Sequence, residues 1–90
     1  MTSLEKLVFW SGRYIIWLQK HRYLKDGEIS TKNLQRTARK MANLAKINKN
    51  EFMSYLLDVV FEPQGSNSYL LRDEGVRGER LWTRLRGGQK

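Results

Sequence analysis

The spacing of apolar and polar residues changes along this chain from a helical period to a strand-like period near its end. Breaks rich in glycine, asparagine, aspartate or proline fall at residues 25–27, around residue 48, and at residues 63–68 and 73–75. These breaks separate three helical segments from two short alternating segments. The pattern therefore predicts an α+β fold that is mostly helical, with three helices followed by a C-terminal β-hairpin.

The first predicted helix covers residues 4–22, begins after Ser3 as N-cap, and carries two apolar stripes. The first stripe consists of Leu4, Leu7, Val8, Ser11, Tyr14, Ile15 and Leu18. Because a core this small hardly encloses a whole helix, we expect the second stripe to form a homodimer contact. That contact comprises Phe9, Trp10, Arg13, Ile16 and Trp17. The alternative is a monomer in which the hairpin or the segment around Phe61 covers the second stripe.

The second predicted helix begins at Ser30 or Thr31, ends near Lys46, and separates apolar from basic residues almost completely. Its narrow apolar side consists of Leu34, Ala38, Met41, Ala42 and Ala45. The opposite side consists of Lys32, Arg36, Arg39, Lys40, Asn43 and Lys46. A side this rich in cations predicts contacts with phosphate groups, and the alternative is a solvated basic face.

The third predicted helix starts at Asn48, an N-cap followed three residues later by Glu51, and ends at Pro63. Near its start, Lys49 and Asn50 are predicted to contact nucleic acid, whereas Glu51 and Asp58 would repel phosphate.

The junction of helices two and three has a spacing compatible with a helix-turn-helix core, formed by Ala42, Ile47, Phe52 and Tyr55. Lys46 occupies the turn position at which glycine is commonest.

The predicted hairpin pairs residues 68–72 with residues 79–86, and a charged loop at residues 73–78 joins them. On the return strand, one face is apolar and the other displays Arg80, Trp82, Arg84 and Arg86. Arginines around a tryptophan suit phosphate contact combined with stacking on bases or sugars, whereas the alternative is an edge strand protected by charge. Three helices followed by a hairpin is the element order of a winged-helix-like domain. We expect one such domain at residues 1–86 and a flexible tail at residues 87–90.

Charge adds the first indication of a partner, since 17 lysines and arginines against 9 acidic residues give the chain a formal charge of +8. The basic residues lie in two blocks, one within the second helical segment and one after residue 71, with acidic Glu51, Asp58 and Glu62 between them. A strongly basic short chain predicts a polyanionic partner, most often nucleic acid.

The remaining composition argues against catalysis and metal binding. The chain has no cysteine and a single histidine, His21, at the end of the first predicted helix. We find no nucleophile motif, no metal-ligand spacing, no signal-peptide pattern and no apolar run approaching the ~20 residues of a membrane span. We therefore expect a cytoplasmic, non-enzymatic protein without a cofactor, a metal or a membrane contact.

Taken together, these features predict a small DNA-binding protein, such as a transcription regulator, that prefers double-stranded DNA and forms a homodimer. Two alternatives remain open. One is an adaptor or inhibitor that docks on an acidic partner protein, which the aromatic residues of the first helix favour. The other is an RNA-binding module in which Trp82 stacks on an unpaired base.

Overall fold

Three helices pack against a small antiparallel sheet in the computed structural model, which describes residues 2–72. The helices are α1 (Ser3–Lys20), α2 (Thr31–Ala45) and α3 (Lys49–Tyr55), and α3 continues as a π-helical turn, Leu56–Val60. The strands are β1 (Glu28–Ser30), β2 (Phe61–Gln64) and β3 (Ser68–Leu71), in the sheet order β1-β3-β2. The predicted α+β class is confirmed.

Helix α1 starts one residue earlier than predicted because Thr2, not Ser3, is its N-cap. The Thr2 hydroxyl accepts a hydrogen bond from the Glu5 amide at 3.1 Å, and the Glu5 carboxylate accepts one from the Thr2 amide at 2.9 Å. These reciprocal bonds satisfy two amides that a helix leaves without partners. They also lower the pKa of the exposed Glu5 carboxyl below its usual value.

The first stripe of α1 is buried as predicted, except at Leu4. Leu4 is 63 % exposed because the first turn of α1 lies beyond the core. The buried members of the stripe are Leu7, Val8, Ser11, Tyr14, Ile15 and Leu18.

Strand β1 was not predicted; it follows a tight turn and pairs with β3. Asp26 and Gly27 both have positive φ, and the amides and carbonyls of Lys25 and Glu28 bond reciprocally at 2.9–3.0 Å. This is the two-residue hairpin turn that an Asp-Gly pair favours. The strand is too short for its alternation to stand out in the sequence.

The predicted end of the third helix and the predicted hairpin are both wrong. Helical structure stops at Val60, and Pro63 lies inside strand β2 instead of ending a helix. Proline is tolerated there because β2 is an edge strand whose outward side needs no amide donor. The hairpin is formed by β2 and β3, around a turn in which Gly65 has φ +70°. The other side of β3 pairs with β1. The predicted return strand at residues 79–86 and tail at residues 87–90 lie outside the described residues.

The core sits where α1, α2, α3 and the sheet meet. Its largest fully buried side chains are Tyr14, Phe52, Phe61, Leu18, Ile29, Leu34 and Leu56. The Tyr14 and Phe52 rings meet edge to face with centroids 5.8 Å apart, which joins α1 to α3. As predicted, α2 buries Leu34, Ala38, Met41, Ala42 and Ala45.

Candidate nucleic-acid interface

The exposed side of α2 carries four cations and no acidic residue. Ser30 caps the helix by accepting a hydrogen bond from the Asn33 amide at 3.2 Å, which fixes where the helical period begins. From that start, the apolar residues point into the core. The remaining side, which we call the basic face, consists of Lys32, Arg36, Arg39, Lys40 and Asn43, all exposed.

The cations of the basic face are not neutralised by carboxylates within the described part of the chain. The ion pair found in residues 2–72 joins Arg72 to Glu62 at 3.9 Å, on the sheet. Arg36 donates a hydrogen bond to the Asn33 side-chain oxygen at 2.8 Å, which orients the guanidinium but leaves its charge uncompensated. Because α2 contains four cations and no acidic residue, an external anion is the available counter-charge.

The turn between α2 and α3 brings cations from both helices together. Lys46 adopts the left-handed conformation, with φ 60° and ψ 43°, at a position that is most often occupied by glycine in such turns. The Ile47 amide donates to the Ala42 carbonyl at 2.9 Å, and the Lys46 amide donates to the Asn43 carbonyl at 3.3 Å. These two bonds close α2 and direct the chain back along it. Asn48 then caps α3 by accepting from the Glu51 amide at 3.0 Å, as predicted.

As a result, Arg39 of α2 lies beside Lys49 and Asn50 of α3. These three predicted residues line one shallow depression together with Gln35 and Met53. The sequence reading missed Gln35, although it lies one helical turn before Arg39 and therefore on the same side of α2. The depression combines two cations with two amide side chains, which can donate to and accept from the edges of bases.

The exposed part of α3 is much less basic than α2. Glu51 of α3 and Asp58 of the π-helical turn are both exposed. Lys49 is the sole cation of α3, and Glu51 offsets its charge. Helix α2 therefore supplies most of the positive charge of the candidate interface.

The candidate interface within residues 2–72 includes no residue of the predicted basic strand. Arg80, Trp82, Arg84 and Arg86 lie outside the described residues. In the hairpin that the structure describes, the turn is formed by Gly65, Ser66 and Asn67, and the cation at the opposite end, Arg72, donates to the Phe61 carbonyl at 2.9 Å.

The residues predicted to form a dimer contact lie on the far side of α2 from this depression. Trp10, Arg13, Ile16 and Trp17 line a groove between α1 and α2, whereas Phe9 is outside its lining. Phe9 instead packs edge to face against Trp10, with ring centroids 5.4 Å apart. The homodimer stays a prediction.

Within residues 2–72, no three carboxylate or imidazole groups are close enough to hold a metal ion. No helix in this part of the chain is both long and apolar enough to cross a bilayer. No protein-family model matches the chain, and neither a curated protein nor a solved structure is significantly similar to it.

Proposed function

We propose that this protein binds duplex DNA through the basic face of α2 and the adjoining side chains of Lys49 and Asn50. The observation that carries the proposal is the set of four exposed cations on α2, none of them paired with a carboxylate of residues 2–72, beside a fifth cation, Lys49, from α3. A duplex offers a dense, regular array of phosphates, and each neutralised phosphate releases bound counterions, which drives association.

The order of elements supports a winged-helix-like assignment for the domain. A helix, a short strand, two helices and a hairpin follow one another, and α2 and α3 are joined by a tight left-handed turn. In helix-turn-helix docking, the first helix of the pair crosses the sugar-phosphate backbone and the second enters the major groove. The basic face of α2 suits the first position.

The same arrangement implies weak discrimination between DNA sequences. Lys49, Asn50 and Ser54 are the exposed side chains of α3 that suit base contacts, while Glu51 and Asp58 disfavour a deep approach to the phosphates. Phosphate contacts position a protein on DNA but carry no sequence information. We therefore expect affinity to depend mainly on salt and little on base sequence.

A salt titration tests the proposal. We expect the logarithm of the association constant for a fluorescent duplex to fall by ~0.9 for each phosphate contact per tenfold rise in salt. The double substitution Arg39→Gln/Lys40→Gln should weaken binding and flatten this dependence by ~1.8. The matched control is Arg22→Gln/Lys25→Gln, which removes the same two residue types from exposed positions off the basic face.

Equal losses in the two double variants would mean that net charge alone attracts DNA, and would refute an interface on α2. Absence of binding at low salt would refute the DNA-binding function itself. A single-stranded RNA that competes more strongly than the duplex would instead favour the RNA-binding alternative.

A further inference from the structure

An apolar groove between α1 and α2 is left uncovered by the described part of the chain. It lies on the flank of α2 opposite to the side that meets α3, because Met41 and Leu44 point away from Gln35 and Arg39. The lining residues are Trp10, Arg13, Ile16, Trp17, Lys20, Met41 and Leu44.

Two of these residues are unusually accessible for their type. Leu44 is 71 % exposed and Ile16 is 48 % exposed. Both line the groove, Ile16 from α1 and Leu44 from α2. Single exposed apolar residues are ordinary on a protein surface, but a concave, contiguous apolar surface with two tryptophans is typical of a binding site.

The aromatic walls of the groove are held in place by their neighbours. The Trp17 ring stacks on the Tyr23 ring with centroids 5.4 Å apart, and its centroid lies 4.6 Å from that of the His21 ring. The Trp10 ring meets the Phe9 ring edge to face. A groove whose walls are fixed in advance loses little side-chain entropy when it is filled. Met41 adds a flexible side chain that adapts to the shape of an occupant.

The charges at the groove are of one sign. Arg13 and Lys20 belong to its lining and no carboxylate does. The Arg13 guanidinium lies 5.5 Å from the ring centroids of both Phe9 and Trp10, and these cation–π contacts keep it at the rim. Arg13 and Lys20 are seven residues apart on α1, which places them about 10.5 Å apart along the helix axis.

We propose that this groove binds an acidic amphipathic helix of another protein. Apolar side chains at helical spacing would fill the space between Trp10, Ile16 and Leu44. Carboxylates two turns apart on the same helix would pair with Arg13 and Lys20. The lining of the groove shares no residue with the basic face, although Leu44 lies one helical turn after Lys40, so the protein can hold DNA and this partner at the same time.

Charge also argues against a second copy of this chain as the occupant. Helix α1 carries three basic residues and one acidic residue, Glu5, whose carboxylate is engaged in the N-terminal cap; α2 carries four basic residues and no acidic one. Two copies paired through α1 and α2 would bring like charges together without compensation, which is unfavourable at low ionic strength. A partner that supplies carboxylates turns the same charges into attraction.

The experiment uses the full chain and two labelled synthetic peptides that differ only in charge. Both place leucines along one face of a helix; one carries glutamates seven residues apart, and its twin carries lysines at the same positions. We expect the acidic peptide to bind at micromolar concentrations and the basic twin to bind at least tenfold more weakly. Leu44→Ser should weaken binding of the acidic peptide at least tenfold. The matched control is Leu4→Ser, a leucine of similar exposure, 63 % against 71 %, outside the groove.

Duplex affinity in the same variants separates this proposal from the proposed function. Leu44→Ser should leave DNA binding unchanged, while Arg39→Gln alone should leave peptide binding unchanged, because Arg39 lies on the flank of α2 away from the groove. Equal binding of the two peptides, or equal effects of Leu44→Ser and Leu4→Ser, would overturn the proposal. A dimer in sedimentation that Leu44→Ser dissociates would assign the groove to a second copy, and would overturn it as well.

Discussion

The Tyr14 hydroxyl group ties α1 to α2 inside the core. It lies 2.7 Å from the Thr37 hydroxyl oxygen and donates to the Leu34 carbonyl at 3.3 Å, while Thr37 donates to the Asn33 carbonyl at 2.7 Å. The bonds satisfy two hydroxyl groups in a buried setting, where an unpaired hydroxyl is costly. They also set how far α2 can slide along α1, and so where the basic face lies relative to the rest of the protein.

We expect Tyr14→Phe to lower the free energy of unfolding by about 1 kcal/mol, because it deletes the hydroxyl but keeps the ring. Urea denaturation measures the change. Tyr69→Phe is the control, since Tyr69 is half-buried and its hydroxyl has no hydrogen-bond partner in residues 2–72. If the two substitutions lower the free energy of unfolding by the same amount, the buried hydrogen bonds of Tyr14 add no stability of their own.

Tyr14 also predicts a loss of stability in alkali. Burial raises the pKa of its phenol, and the hydrogen bond with Thr37 offsets only part of this effect. Above pH ~10 the unfolded chain loses the phenolic proton while the folded chain keeps it, so the folded state binds more protons and the free energy of unfolding falls as pH rises. Below that pH the contribution is constant.

Denaturation curves between pH 8 and 12 should therefore show a decline that Tyr14→Phe makes shallower. A decline of the same sign should persist in that variant, because burial also raises the pKa of Tyr55. An unchanged slope in Tyr14→Phe would contradict this account.

At the scale of elements, the junction of α2 and α3 decides which side chains meet. The left-handed backbone of Lys46 costs free energy because a Cβ crowds the backbone in that conformation. The cost is tolerated since Ile47 then reaches the core and its amide closes α2. Without that reversal, Arg39 would not lie beside Lys49 and Asn50.

We expect Lys46→Gly to raise the free energy of unfolding by up to about 1 kcal/mol, since glycine adopts the left-handed region without strain. Lys46→Val should lower it by more than this, because a β-branched residue is least suited to positive φ. Thermal denaturation of the two variants provides the comparison. Equal stabilities would show that the turn relaxes to another conformation.

At the scale of the whole molecule, charge is unevenly distributed over residues 2–72. The four cations of α2 have no acidic residue in their helix, whereas Glu28 and Glu62 both stand opposite Leu70 in the sheet and therefore share one of its faces. We expect this uneven field to orient the protein toward a polyanion with α2 leading.

The second basic block of the sequence should add to DNA binding independently of α2. If each of the three arginines of the predicted return strand contacts one phosphate, Arg80→Gln/Arg84→Gln/Arg86→Gln should flatten the salt dependence by ~2.7. Combined with Arg39→Gln/Lys40→Gln, the reductions should add. An unaltered salt dependence in the triple variant would exclude these three arginines from the phosphate contacts.

The helices and their faces followed from local information. Where one side of a long helix is buried, apolar residues recur in the sequence with the helical period. The buried side of α2, its basic face and the first stripe of α1 were therefore all predictable. The caps of α2 and α3 were predictable for the same reason, because Ser30 and Asn48 act on amides three residues away, whereas the cap of α1 is Thr2 and not the predicted Ser3. The predicted burial of Leu4 was wrong because the pattern indicates which side a residue faces, but not how far the neighbouring elements extend.

Tertiary structure alone decided the pairing of the strands and the composition of the sites. Strands β1 and β2 are too short to show an alternation in the sequence. They form because β3 offers hydrogen bonds on both of its sides. The residues of β2 continue the apolar helical pattern of the preceding segment, but they form an edge strand. The depression at Arg39 and the groove at Leu44 each join residues of two helices, which no spacing within one helix reveals. Local sequence sets the direction in which a side chain points, but only packing between distant segments sets what it meets.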